Sequence, residues 1–128
     1  MFTKLELFRT AHAMASHAGK RQAVIARNIA NSDTPGFRAQ DIKDFAETFR
    51  SAEAQGMRAT RSGHLGQAGD ASTIRTFTAA TADTAPNGNS VSLETEMLKG
   101  VDAMRQHDRA LAIYRSGLTI LRSALGRR

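Results

Sequence analysis

Four histidines, His12, His17, His64 and His107, are the side chains of this sequence best suited to moving a proton or holding a metal ion. His12 and His17 are spaced so that they fall on different faces of a helix, which denies them a shared metal. There is no HExxH run, and no cysteine to supply a thiolate ligand or a disulfide. His107-Asp108 is half of a catalytic triad, but no serine stands in a nucleophile-elbow context. Glu94 and Glu96 could form an acid–base pair. Their place near a helix start makes a favourable interaction with the helix dipole the simpler role. Gly63, Gly66 and Gly69 have the spacing of a phosphate loop without a following lysine or a flanking strand. The sequence therefore predicts no catalytic residue, cofactor, metal or small-molecule substrate, and the question becomes what its helices pack on.

The elements that would do the packing lie at the two ends. Residues 4–31 read as one helix in which Phe8, Ala11, Ala15, Ala18, Gln22, Ile25 and Ile29 recur at spacings of three and four, a coiled-coil type of seam. Thr3 and Glu6 form a capping-box pattern at its start. Pro35 biases Thr34 away from helix, and Pro35-Gly36 suits the centre of a type II turn. Asn31, Ser32 and Asp33 offer side chains to loose backbone groups, and Phe37 follows as an apolar anchor. Ile42, Phe45 and Phe49 predict a short amphipathic helix. Residues 51–90 are dominated by Ala, Thr, Ser and Gly, with isolated Met57, Leu65, Ile74 and Phe77. Such a stretch predicts loops with room for a short hairpin, and disorder in the free protein. A second turn-rich cluster, Asp83 to Asn89, precedes the last helix, expected from Leu93 to Leu125. There Met97, Met104, Leu111, Leu118 and Leu125 recur every seven residues, with Val101, Tyr114 and Leu121 at the companion position. The methionines at these positions read as packing residues.

The expected fold is mainly α: two long terminal helices packed as an antiparallel, coiled-coil-like pair, a short amphipathic helix, and an irregular middle. The chain divides into an N-terminal helix (1–31), a turn and short helix (32–50), a variable polar segment (51–90) and a C-terminal helix (91–128). A 128-residue chain supports one domain, and with only 5% aromatic residues its own core should be thin. Association would then supply further burial. Net charge is +6, with basic ends flanking an acidic middle: residues 1–31 carry five Lys/Arg against one Glu, residues 32–98 six against nine acids, and residues 99–128 seven against two. Basic ends admit a nucleic-acid footprint, but no stacking platform or known binding motif accompanies them. No apolar run approaches the length of a membrane span, and the first residues lack a secretory signal.

Three segments carry a resemblance. Ala30-Asn31-Ser32-Asp33-Thr34-Pro35-Gly36-Phe37 resembles the ANxxTPG-aromatic run of the flagellar basal-body rod proteins of bacteria, placed at the end of the first helix. Arg38 to Phe45 is similar to the basic-x-x-D-I-D-F run of the family's proximal member. The run of Asn89, Val91, Leu93, Glu94, Glu96 and Met97 is similar to the family's N-x-V-x-L-E-x-E-M run opening the last helix. The resemblance implies a non-catalytic building block, exported by the flagellar type III apparatus without a cleaved signal. It further implies assembly through the terminal helices into a hollow, torque-transmitting periplasmic shaft of the basal body. The implied partners are other copies of the chain, other rod proteins, the membrane-ring and adaptor proteins, and the export apparatus. The alternatives are a sibling rod protein or a small basic helical nucleic-acid binder; the rod reading itself implies no nucleic acid.

Overall fold

The structure, a computed structural model, describes residues 2–55, 74–80 and 84–126. His64, Met57, Leu65, the three spaced glycines and much of the polar segment lie outside the described residues. In chain order the elements are α1 (Phe2–Ala30), β1 (Gln40–Ile42), α2 (Phe45–Gln55), β2 (Thr76–Thr78) and α3 (Leu93–Ala124).

The two long helices form the expected antiparallel pair. A Cβ at Gly100, early in α3, would lie 3.8 Å from Ile25 late in α1, while one at Gly117, late in α3, would lie 3.0 Å from the ring of Phe8. Their seam repeats every seven residues and is built mostly from small side chains. Ala11, Ala18 and Ile25 are buried on α1, and Glu96, Ala103, Ala110 and Gly117 on α3. Small side chains let the helix axes approach closely, and dispersion contacts along the seam replace bulky knobs. At the far end Phe8 and Tyr114 meet edge-on, ring centroids 5.1 Å apart.

Helix ends follow local chemistry. α3 starts at Ser92, whose hydroxyl accepts from Thr95, with Glu94 and Glu96 in the first turn. It closes with a backbone bond from Leu125 to Leu121, followed by Gly126 at φ +67°. α1 begins at Phe2, so Thr3 lies inside the helix and not at its cap. Helix starts of this kind shift by a residue or two because water can satisfy the first N–H groups.

The short helix departs from expectation. Ile42 ends strand β1, and α2 begins only at Phe45 and continues to Gln55, beyond the expected boundary at residue 50. β1 pairs antiparallel with β2, Gln40 opposite Thr78 and Ile42 opposite Thr76. β2, inside the segment where a short hairpin has room, pairs with β1, which lies ahead of that segment; the rest of that expectation falls outside the described residues. Thr76-Phe77-Thr78 has the β-branched and aromatic composition that favours a strand.

Candidate assembly interface

Two of the sequence motifs, far apart in the chain, form one structural unit. The turn after α1 closes with a bond from the Phe37 N–H to the Thr34 carbonyl, and Gly36 between them has φ +71°. Asn89 is buried against it. Its amide nitrogen donates to the carbonyls of Asn31, Ser32 and Thr34 at 2.8–2.9 Å, and its Oδ1 accepts from the Val91 N–H. Those carbonyls belong to the turn that follows α1, and those of Asn31 and Thr34 also accept from the backbone N–H groups of Thr34 and Phe37. Around this contact Gly36 donates to the Asn87 carbonyl, Ser90 donates through its backbone to Phe37, and the Ser90 hydroxyl accepts from Ala39. A Cβ at Gly88 (φ +81°) would stand 3.4 Å from the Gly36 Cα, so the two loops touch through glycine backbone. The first motif thus ends α1, and the second both binds that ending and launches α3.

Next to this lock lies a buried polar cluster. Asn28 is fully buried. Its amide nitrogen donates to the Gln40 carbonyl at 2.7 Å and to Glu96 Oε2 at 2.9 Å, and its Oδ1 accepts from the Gln40 N–H at 3.0 Å. One side chain therefore satisfies the free edge of β1 and a buried carboxylate together. Glu96, only 2% exposed, also pairs with Lys99 at 3.0 Å, and Lys99 reaches Asp41 at 3.0 Å. Burial disfavours the charged Lys99 amine, but its hydrogen bonds to Asp41 and Glu96, with their Coulomb attraction, outweigh that and raise its pKa above 10.5. Arg21 extends the cluster to Asp41 and Asp44, each at 3.7 Å. The cluster joins α1, β1 and α3. Sequence reasoning read Glu96 as a helix-dipole residue and as part of the motif opening the last helix, and missed Asn28 and Lys99. The available signal was phase: Glu96 lies one heptad before Ala103, and Asn28 one turn beyond Ile25.

The histidines do not converge. His12 is exposed and His107 half-buried beside an exposed Asp108. His17 is buried, donates from Nε2 to the Lys43 carbonyl at 2.8 Å and meets the Phe45 ring edge-on. It fastens α2 to α1. Among the described residues no three of His, Cys, Asp and Glu stand close enough to share a metal ion, and no helix is long and apolar enough to cross a membrane.

The apolar stripes have different fates. On α1, Ala11, Ala18 and Ile25 are buried and Phe8, Ala15 and Ile29 half-buried, all along the side facing α3. α3 thus covers the stripe of α1 within the chain, as the expected helix pair requires. On α3 the large heptad residues stand one position round from the packed line. Met97 is 60% exposed, Met104 59% and Leu125 83%; Val101 and Tyr114 are exposed, and Leu111, Leu118 and Leu121 half-buried. In the close seam α3 contributes Ala103, Ala110 and Gly117, and its large heptad side chains stand at the flank. Leu93 is exposed too, so Leu93, Met97, Val101 and Met104 leave the first half of α3 with an uncovered apolar face.

Known proteins are similar to this chain in sequence. The family model described as "Flagella basal body rod protein" matches residues 9–38, the seam of α1 with the turn that ends it. The flagellar basal body rod protein FlgB of Agrobacterium fabrum is 34% identical over 88% of this chain and 87% of its own length. FlgB of Salmonella typhimurium is 30% identical over 83% of this chain and 78% of its own. FlgB of Escherichia coli reaches 51% identity over a shorter stretch, 32% of this chain and 29% of its own length. With the family model matching α1 and its turn, and relatives of 30–34% identity aligned over most of their length, the chain belongs to the FlgB family of flagellar basal body rod proteins.

Proposed function

We propose that the chain is a non-catalytic structural subunit of the proximal rod, built into a hollow torque-transmitting shaft through its terminal helices. The observation that carries this reading is the uncovered apolar face of α3 on a hairpin whose remaining seam is already closed. Each large apolar side chain buried between subunits contributes about 1.5–3 kcal/mol, and a row of them gives a stiff contact. Contacts that repeat without closing generate a helical shaft. In this reading the subunit is exported through the flagellar type III apparatus without a cleaved signal and sits on the periplasmic side. There it touches other copies, other rod proteins, and the membrane-ring and adaptor proteins. The basic ends then serve helix termini and solvated faces; the relatives give nucleic-acid binding no support. Immunogold labelling of purified basal bodies tests the proposal. Label on the shaft beside the membrane ring is expected, and its absence from basal bodies that retain their rods would overturn it.

A further inference from the structure

We infer that the uncovered ridge of α3 seats in a groove of small residues along α1 of a second copy of this chain, the two helices running antiparallel. The inference rests on the rod-subunit reading and names the faces that meet.

The ridge is Leu93, Met97, Val101 and Met104, spaced by four, four and three residues and all exposed. Such spacing holds one helical face. α1 carries its counterpart outside the seam with α3. Ser16, Gly19, Ala23, Ala26 and Ala30 alternate at spacings of three and four, all are exposed, and none is larger than serine. A Cβ at Gly19 would meet nothing within 4 Å. Helical phase puts ridge and groove on the same side of the hairpin. The opposite side is occupied: His17, Arg21 and Asn28 of α1 and Lys99 of α3 all point to the segment from β1 to the start of α2. The open face therefore presents large residues on one helix beside small residues on the other. The seam within the chain shows what small residues permit, since α1 already approaches Gly117 so closely that a Cβ there would crowd Phe8.

Charge sets the direction. Glu6 and Arg27 stand three heptads apart on α1, and Glu94 and Arg115 three heptads apart on α3; all four are exposed. In both helices the acid comes first. Parallel apposition would set like charges together, whereas antiparallel apposition sets Glu6 beside Arg115 and Arg27 beside Glu94. In that register Ala23 faces the stretch from Met97 to Val101. Exposed pairs add little affinity and select orientation, while apolar burial supplies the attraction. Two α3 ridges packed on each other would oppose large residues to large and leave the groove empty.

The chain has no cysteine, so engineered ones report cleanly. Cells are made to produce two singly substituted chains, Ala23→Cys and Met97→Cys, and basal bodies are isolated and oxidised. A mixed disulfide in excess over either homodimer is expected. Adding Ala26→Glu to the Ala23→Cys chain should reduce it at least about tenfold, a loss of about 1.4 kcal/mol of association, with thermal unfolding of the isolated chain unchanged. A dominant Met97→Cys homodimer, or no disulfide although both chains are present in the basal bodies, overturns the inference and leaves the rod reading standing. Absence of both chains from basal bodies overturns the rod reading itself.

Discussion

Asn28 on α1 and Glu96 on α3, 68 residues apart, meet in a buried hydrogen bond of 2.9 Å. The same amide holds the backbone of Gln40 from both sides, so three segments depend on one side chain. The apolar seam specifies which faces of the helices meet, but its residues are small and repetitive. A slide of one heptad would cost few contacts. The Asn28–Glu96 bond is lost in every register but one, and the polar cluster is therefore what fixes the alignment.

Replacing Asn28 by Asp keeps the shape but removes both donors and sets a second carboxylate against Glu96. Stability should fall by about 3 kcal/mol or more, since a buried charge loses a partner and gains a like neighbour. The urea midpoint of the purified chain measures this. A midpoint equal to that of the wild type would show that the contact does not hold the helices together.

Asn89→Asp replaces the donor that three carbonyls of the turn after α1 share by a group that can only accept. Destabilisation of about 2 kcal/mol is expected from the lost hydrogen bonds and from a carboxylate set against carbonyl oxygens. Hydrogen exchange should rise first at Thr34, Gly36 and Phe37, and uniform exchange across the chain would argue against a local lock.

Two helical glycines should respond with opposite signs. Gly19 has open space where a methyl group would stand, so Gly19→Ala should stabilise by up to about 1 kcal/mol through helix propensity. Gly117 faces the Phe8 ring, 3.0 Å from where a Cβ would be, so Gly117→Val should destabilise by about 1–3 kcal/mol through overpacking. Melting temperatures of the pair, moving apart in these directions, check the close seam.

The raised pKa of Lys99 has a definite consequence for pH dependence. A group that holds its proton more tightly when folded stabilises fully below its unfolded value, and that contribution is lost as pH rises through the folded one. Folding stability should therefore decline above pH 10.5, and Lys99→Met should flatten the decline while lowering stability at neutral pH. An identical alkaline slope in both proteins would contradict the role given to this amine.

Much of the fold was legible because it is local. The α1 seam, the break at Thr34-Pro35-Gly36-Phe37 and the heptads of α3 are patterns that the backbone must obey wherever they occur. What escaped was non-local. Ile42 shares a helical phase with Phe45, yet Asn28 and β2 draw the backbone before Lys43 into a strand, and neither partner is near in sequence. The packed line of α3 was off by one residue because hydrophobicity picks out Met97 and Met104, whereas close approach selects Ala103 and Ala110. Asn89 was legible as a motif residue, but its partners at Asn31, Ser32 and Thr34 could be found only in space.

The central claim is that the exposed face of α3 joins subunits and does not stabilise the single chain. Counting intact rods in basal bodies from cells whose only copy carries Met97→Asp and Met104→Asp tests it most directly, since both side chains are about 60% exposed in the isolated hairpin. Rods should be absent while the purified variant unfolds at the wild-type temperature; rods in normal number would contradict the claim.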